Sequence, residues 1–428
     1  VRVLPSSIFP SGLLYLKEER NDMRKVALLA LVVVLVAAFA AFPASARQEK
    51  PIKIGLVIDE TGVGAIFAPS QIAGLEVALA QINAEGGILG RQVEYIKRDS
   101  QLDPAVGANV AREMILEDKV DFLLGPTSSS VALAVAEVAL ENKVPLALHT
   151  SNSVAITTTN FNPYIVQLVP NTTIEARSVA TFIAELDFTD WATIGPDYAF
   201  GRDSYKAFEP RFLELKPDAK IVNSQWPPLA ERDLSPYITA MLANQPEAIY
   251  SILWGEQLVT FVQQANDLGL FEEAQFVGLF DVDFMKAIGD ELPEGLLGYS
   301  RAPFYAIDTP EMAAFVEEYL EVSGGVYPSD WGVMIYDAVM TLKAAAEAAG
   351  TVEGPAVSEA LGGLTFMSLR GELTIRACDH MANVGEYVGI TTQDSEYGFP
   401  ILTDVRYIPA EETWNSCEEI EAIRANAG

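Results

Sequence analysis

Two short loops are rich in hydroxyl and amide side chains: Gly125-Pro126-Thr127-Ser128-Ser129-Ser130 and His149-Thr150-Ser151-Asn152-Ser153. Each follows an apolar run of strand character, and the first leads straight into a helical stretch. Hydroxyls and free backbone N–H groups at a helix start suit a carboxylate or another small acceptor. In open α/β sheets, ligands bind outside the C-terminal ends of strands, where such loops lie. Plain helix capping explains any single serine equally well. Two such loops after consecutive strands favour a site.

Catalytic patterns are scarce. The chain has no Gly-x-Ser-x-Gly elbow, Walker loop or Gly-x-Gly-x-x-Gly fingerprint. Gly62-Val63-Gly64 is followed by Phe67 where a third glycine would be needed, and that ring would block a pyrophosphate. The two histidines, His149 and His380, make no zinc cluster. Asp281-Val282-Asp283 lacks the glycine and distal glutamate of a calcium loop. A Ser129–His149 nucleophile and base could be drawn, as in an exported serine hydrolase, but nothing nearby orients the histidine. The expectation is a protein that is no enzyme and carries neither cofactor nor metal.

The elements that must position these loops follow from length and pattern. A chain of 428 residues exceeds one typical domain. A formal charge of −31 argues against nucleic acid or anionic lipid as partner. Met23-Arg24-Lys25, the apolar run 26–41 and Ala44-Ser45-Ala46 read as a signal peptide over 23–46, cleaved near Ala46. Residues 1–22 show no pattern and read as a misannotated upstream extension. No cysteine follows the apolar run, so a periplasmic protein without lipid anchor is expected. Cys378 and Cys417 both lie in the exported part, where they form a disulfide or remain two buried thiols.

From Ile52, short apolar runs alternate with helical stretches. Strands are expected at 52–59, 92–98, 120–124, 144–148 and 164–169, with helices between them at 70–84, 103–114 and 129–142. This order implies a parallel sheet covered on both faces. The series restarts after Pro170-Asn171, where Thr172-Thr173-Ile174-Glu175 reads as a capping box. Strands follow at 191–195, 220–224, 248–253 and 275–279. Ser300–Pro303 marks a return to three helices (310–322, 329–349, 353–361), and strands at 371–376, 387–390 and 401–407 end the chain. The lobes so defined are 47–170 plus 303–371, and 171–302 plus 372–428.

The sequence resembles the substrate-binding proteins of ABC importers, in particular the leucine/isoleucine/valine-binding group. The resemblance spans nearly all of residues 51–428. Its fingerprints are Ile52–Asp59 followed by Thr61-Gly62, Ala80–Arg91 (AQINAEGGILGR), Asp103-Pro104, Gly125–Ser130 and Val144-Pro145-Leu146. Asp197–Gly201 (DYAFG), Gln264–Leu270 (QANDLGL) and Tyr336–Val339 continue it. The family implies two Rossmann-like parallel-sheet lobes joined by a multi-strand hinge, the type I periplasmic binding fold. It also implies a monomer that closes on a small amino acid, amide or carboxylate and delivers it to a membrane permease. By position, Ser129 would hold a carboxylate oxygen, with Thr150 and Asn152 beside it. Phe67, Tyr198, Phe200 and Trp254 would form aromatic walls, and Asp281 would pair with an α-ammonium. His149-Thr150-Ser151-Asn152 departs from the group's usual Ser-Pro-x-Ala-Thr, which puts an aliphatic amino acid in doubt. A sensor of the same fold without a transport role is the alternative.

Overall fold

The computed structural model describes residues 50–427; the segments 1–22 and 23–46 lie outside the described residues. A first sheet holds β1 (Ile52–Ile58), β2 (Val93–Asp99), β3 (Phe122–Leu124), β4 (Leu146–Leu148) and β5 (Ile165–Gln167). All neighbours are parallel, in the order β2-β1-β3-β4-β5. Strands β3, β4 and β5 are short, apolar and buried at every residue, as strands covered on both faces are. The chain leaves β1 toward β2 on one side and returns as β3 on the other. The loops after β1 and β3 therefore diverge and open a crevice at the strands' C-terminal ends.

A second sheet repeats the plan with β6 (Asp190–Ile194), β7 (Lys220–Gln225), β8 (Ala248–Ser251), β9 (Gln275–Leu279) and β10 (Leu297–Ser300). Its order, β7-β6-β8-β9-β10, puts a second crevice between the loops after β6 and β8. The hairpin β11 (Thr365–Ser368) and β12 (Gly371–Thr374) stands apart as a two-stranded ribbon. Next come β13 (Glu386–Thr392), antiparallel to β10, and β14 (Ile401–Ile408), antiparallel to β13. The second sheet is thus mixed, and the strand expected at 371–376 belongs to the ribbon instead.

Three segments pass between the sheets: the stretch after β5, the one after β10, and the one joining β12 to β13. The first and third are tied together, since Gln167 N–H donates to His380 O (3.0 Å) and Ala382 N–H to Gln167 O (2.9 Å). The helix Asp330–Ala349 returns to the first sheet and packs on the helix Ala68–Ala84. Their approach is close enough to require glycine: a Cβ on Gly74 would lie 2.2 Å from Gly332 O. Cys378 and Cys417 are disulfide-bonded, fastening the helix Cys417–Ala427 to the third crossing.

Candidate functional site

Asp59 directly follows β1 and faces the loop after β3. Its carboxylate accepts the N–H groups of Thr127 (2.9 Å) and Ser128 (3.3 Å) and the Ser100 hydroxyl. Burial pushes its pKa up, and these hydrogen bonds oppose the rise. The turn needs Gly125, which sits at φ +87° with Val57 O only 1.9 Å from where a Cβ would be. The loop after β4 is stitched to the same turn. The Ser151 hydroxyl donates to Pro126 O, Gln167 Nε2 donates to Ser151 O (2.8 Å), and Ser153 N–H donates to Ser129 Oγ (3.2 Å). His149 is fully buried with Nε2 3.0 Å from Gln71 Oε1. Burial lowers its pKa to about 3, so the ring is neutral and Nε2 carries the proton toward Gln71. No hydrogen bond joins Ser129 to His149, and both are occupied in holding the loops together.

Across from this polar wall lie the loops of the second sheet. Tyr198 precedes the helix Ala199–Leu215, and Trp254 precedes the helix Gly255–Asp267. Between the two walls is a small cavity. Ser129, Thr150, Asn152, Tyr198, Phe200 and Trp254 all line it, so the structure brings six expected residues to one place. Thr150 Oγ1 is buried there without a hydrogen-bond partner.

Two expected residues stand back from the surface. Phe67 is fully buried, its ring centroid 4.3 Å from that of Trp331 and 6.0 Å from that of Trp254, and so supports the wall from behind. Asp281 caps the helix Val282–Ile288, accepting Phe284 N–H at 2.9 Å. Burial, followed by repulsion from Asp330 and Asp283, raises its pKa well above the carboxylate range, while the Trp331 indole opposes the rise. Trp331 lines the cavity and Asp281 does not.

The remaining lining is Thr127, Leu279, Arg301 and Trp331. Arg301 has the greatest consequence. It follows β10, and its Nε donates to Glu175 Oε2 at 2.6 Å, with side chains 5% and 0% exposed. Burial works against its charge and Glu175 outweighs that, leaving its pKa above the ordinary value. The guanidinium carbon lies 5.3 Å from the Trp331 ring centroid and 5.8 Å from that of Phe200. Asp330 fixes the backbone here, its Oδ1 accepting the N–H groups of Arg301 (3.0 Å) and Ala302 (2.8 Å). Glu175 is therefore no capping-box residue. Asn171 caps the helix Thr172–Ile183, accepting from Thr173 (3.1 Å) and Ile174 (3.0 Å), which leaves the glutamate free to face Arg301. An isolated Ser300-Arg301 at a strand end carries no local signal of this role.

The model of the family described as periplasmic binding protein matches residues 51–392, most of the chain. The chain belongs to the periplasmic binding protein family. A Leu/Ile/Val-binding protein homologue of Brucella melitensis is 27% identical over 365 residues, covering 82% of this chain and 89% of that protein. An amino acid ABC transporter substrate-binding protein from Pseudomonas fluorescens Pf-5 superposes with a TM-score of 0.76 at 21% identity, covering 86% of this chain and 98% of that one. A solute binding protein of an ABC transporter from Rhodopseudomonas palustris BisB5, in complex with 3,4-dihydroxybenzoic acid, gives 0.75 at 23%, covering 84% and 96%. This periplasmic binding protein is accordingly a solute-binding protein of the type I fold, with its cavity between the two switch points.

Proposed function

We propose that this protein captures a small solute outside the cytoplasm and delivers it to the permease of an ABC importer. The observation that carries the reading is the cavity enclosed by polar loops of one sheet and aromatic side chains of the other. A ligand there touches both walls at once, so its binding favours the closed arrangement of a hinged molecule. The protein works as a monomer, exported and cleaved near Ala46. Its ligand falls among the amino acids, amides and small carboxylates; the Rhodopseudomonas palustris protein of the same fold holds 3,4-dihydroxybenzoic acid. The test is a thermal-shift screen of residues 47–428, unfolded and refolded to strip carried ligand, against those three classes. A ligand at 100 times its Kd should stabilise by about 2.7 kcal/mol. Absence of any stabilising compound across all three classes would count against solute capture.

A further inference from the structure

Resting on that solute-binding reading, we propose that the cleft selects a carboxylate with a flat apolar body and no ammonium group, and that Arg301 sets this preference. The argument begins with the charges. Among the residues lining the cavity, Arg301 is the only charged side chain, and no aspartate or glutamate is exposed on its wall. The nearby carboxyls stay off the cavity wall: Glu386, electrostatically linked to Arg301, is buried with both oxygens unpartnered, and burial raises its pKa well above the carboxylate range. Asp59 holds the turn at Thr127 and Ser128, Asp281 caps its helix, and Glu175 receives Arg301 Nε. An α-ammonium in this cavity would lose its water, meet a guanidinium, and find no anion to pair with.

The polar groups agree with the charge. Arg301 has five N–H donors in a planar fork, and only Nε is taken by Glu175, so the terminal nitrogens can hold a second carboxylate. Ser129 Oγ accepts from Ser153 N–H, which leaves its own proton to donate. Thr150 Oγ1, 2% exposed and unpartnered, supplies another hydroxyl. Residues carrying donors thus line one cavity from both walls, and a ligand that brings acceptors would satisfy them. The rest of the wall is made of rings (Tyr198, Phe200, Trp254, Trp331), suited to a planar hydrocarbon body. Glu175 is a positioning residue: it holds the fork between the Phe200 and Trp331 rings and does not line the cavity.

Benzoate, benzamide and phenylalanine share a ring and differ in headgroup, so calorimetric titration of residues 47–428 with these three probes isolates the headgroup. Benzoate should bind at least ~10-fold more tightly than either of the others, since only it offers an unaccompanied carboxylate to the guanidinium. Arg301→Gln should weaken benzoate on the order of 100-fold and bring it level with benzamide. Because that variant strands Glu175, the double variant Arg301→Gln/Glu175→Gln, which removes both members of the ion pair, should show the same levelling. Phenylalanine or leucine binding as tightly as benzoate, or a benzoate preference that survives in the double variant, would overturn the assignment of Arg301 while leaving solute capture intact. Silence from these probes and from the wider amino acid and amide panel would overturn both.

Discussion

The two walls of the cleft are built on different principles. The first-sheet wall is made of neighbours in sequence: two loops of a few residues each, held by hydrogen bonds that Asp59 accepts and that Ser151 and Ser153 donate. The second-sheet wall is assembled from distant pieces, with Tyr198 and Phe200 from one segment, Trp254 from a second and Arg301 from a third. Its fixed point is one ion pair spanning 126 positions in the chain. Many hydrogen bonds share the load on one side, and a single buried charge pair carries it on the other. Such a difference should be visible when each wall is damaged once.

The largest effect is expected from the ion pair. Glu175→Ala leaves the Arg301 guanidinium buried at 5% exposure without its anion. Breaking a buried pair from one side costs about 3–5 kcal/mol, most of it from the stranded charge. The urea midpoint should fall accordingly, and Arg301→Gln added to Glu175→Ala should recover part of the loss. Equal stability of the single and double variants would show that the charge is solvated in some other way and that the wall has no single fixed point.

On the opposite wall, Asp59→Asn is the matching lesion. It keeps the shape and one oxygen but removes the ionised acceptor from Thr127, Ser128 and Ser100. Hydrogen bonds to a charged group contribute about 1.5–3 kcal/mol, and burial has already raised the Asp59 pKa, so the cost should sit near the lower end. Ligand affinity should fall along with stability, because this turn leads into Ser129. If Asp59→Asn proved costlier than Glu175→Ala, the contrast between the walls would be reversed.

The contrast also explains what the sequence discloses. The loops Gly125–Ser130 and His149–Ser153 are contiguous and follow recognisable strands, so residue types alone point to them. The order of strands and helices is legible for the same reason, since periodicity is local. Strand direction is not local: nothing in 387–390 or 401–407 reveals that β13 and β14 run antiparallel beside β10. Arg301 and Glu175 escape notice because each becomes meaningful only when the other is in place. Thr172-Thr173-Ile174-Glu175 satisfies a capping pattern, yet Asn171, one position earlier, does the capping. Asp281 fits the acid expected near the ligand by position, but its own helix claims one oxygen and Trp331 occupies the cavity surface. Aromatic positions such as Tyr198 and Trp254 came from family resemblance; as isolated rings they could equally have been core.

A last effect concerns protons, and here two buried groups behind the walls act with opposite sign. His149, in the first wall, has its pKa lowered to about 3 by burial, against 6.5 when unfolded. Below pH 6.5 the unfolded chain takes up a proton that the folded one refuses. Stability from this residue is therefore present above 6.5 and falls on acidification by roughly 1.4 kcal/mol per pH unit. Asp283, at the start of the helix beyond β9, is raised from 3.8 to about 6, chiefly by burial and in spite of Lys286 and the Ser329 hydroxyl. Its folded form keeps a proton that the unfolded form releases, so its contribution is complete below 3.8 and is lost as pH rises through 6. Between about pH 4 and 6 the two residues oppose each other. Subtracting the wild-type profile of urea stability from that of each variant isolates them. His149→Gln, which still offers Gln71 a donor, should gain relative to wild type as pH falls through this window. Asp283→Asn should gain as pH rises through it, by an amount of order 1–2 kcal/mol. Difference profiles of the same sign would mean that one of these buried groups is solvated in the folded protein, and a flat profile for His149→Gln would place that solvent beside Gln71.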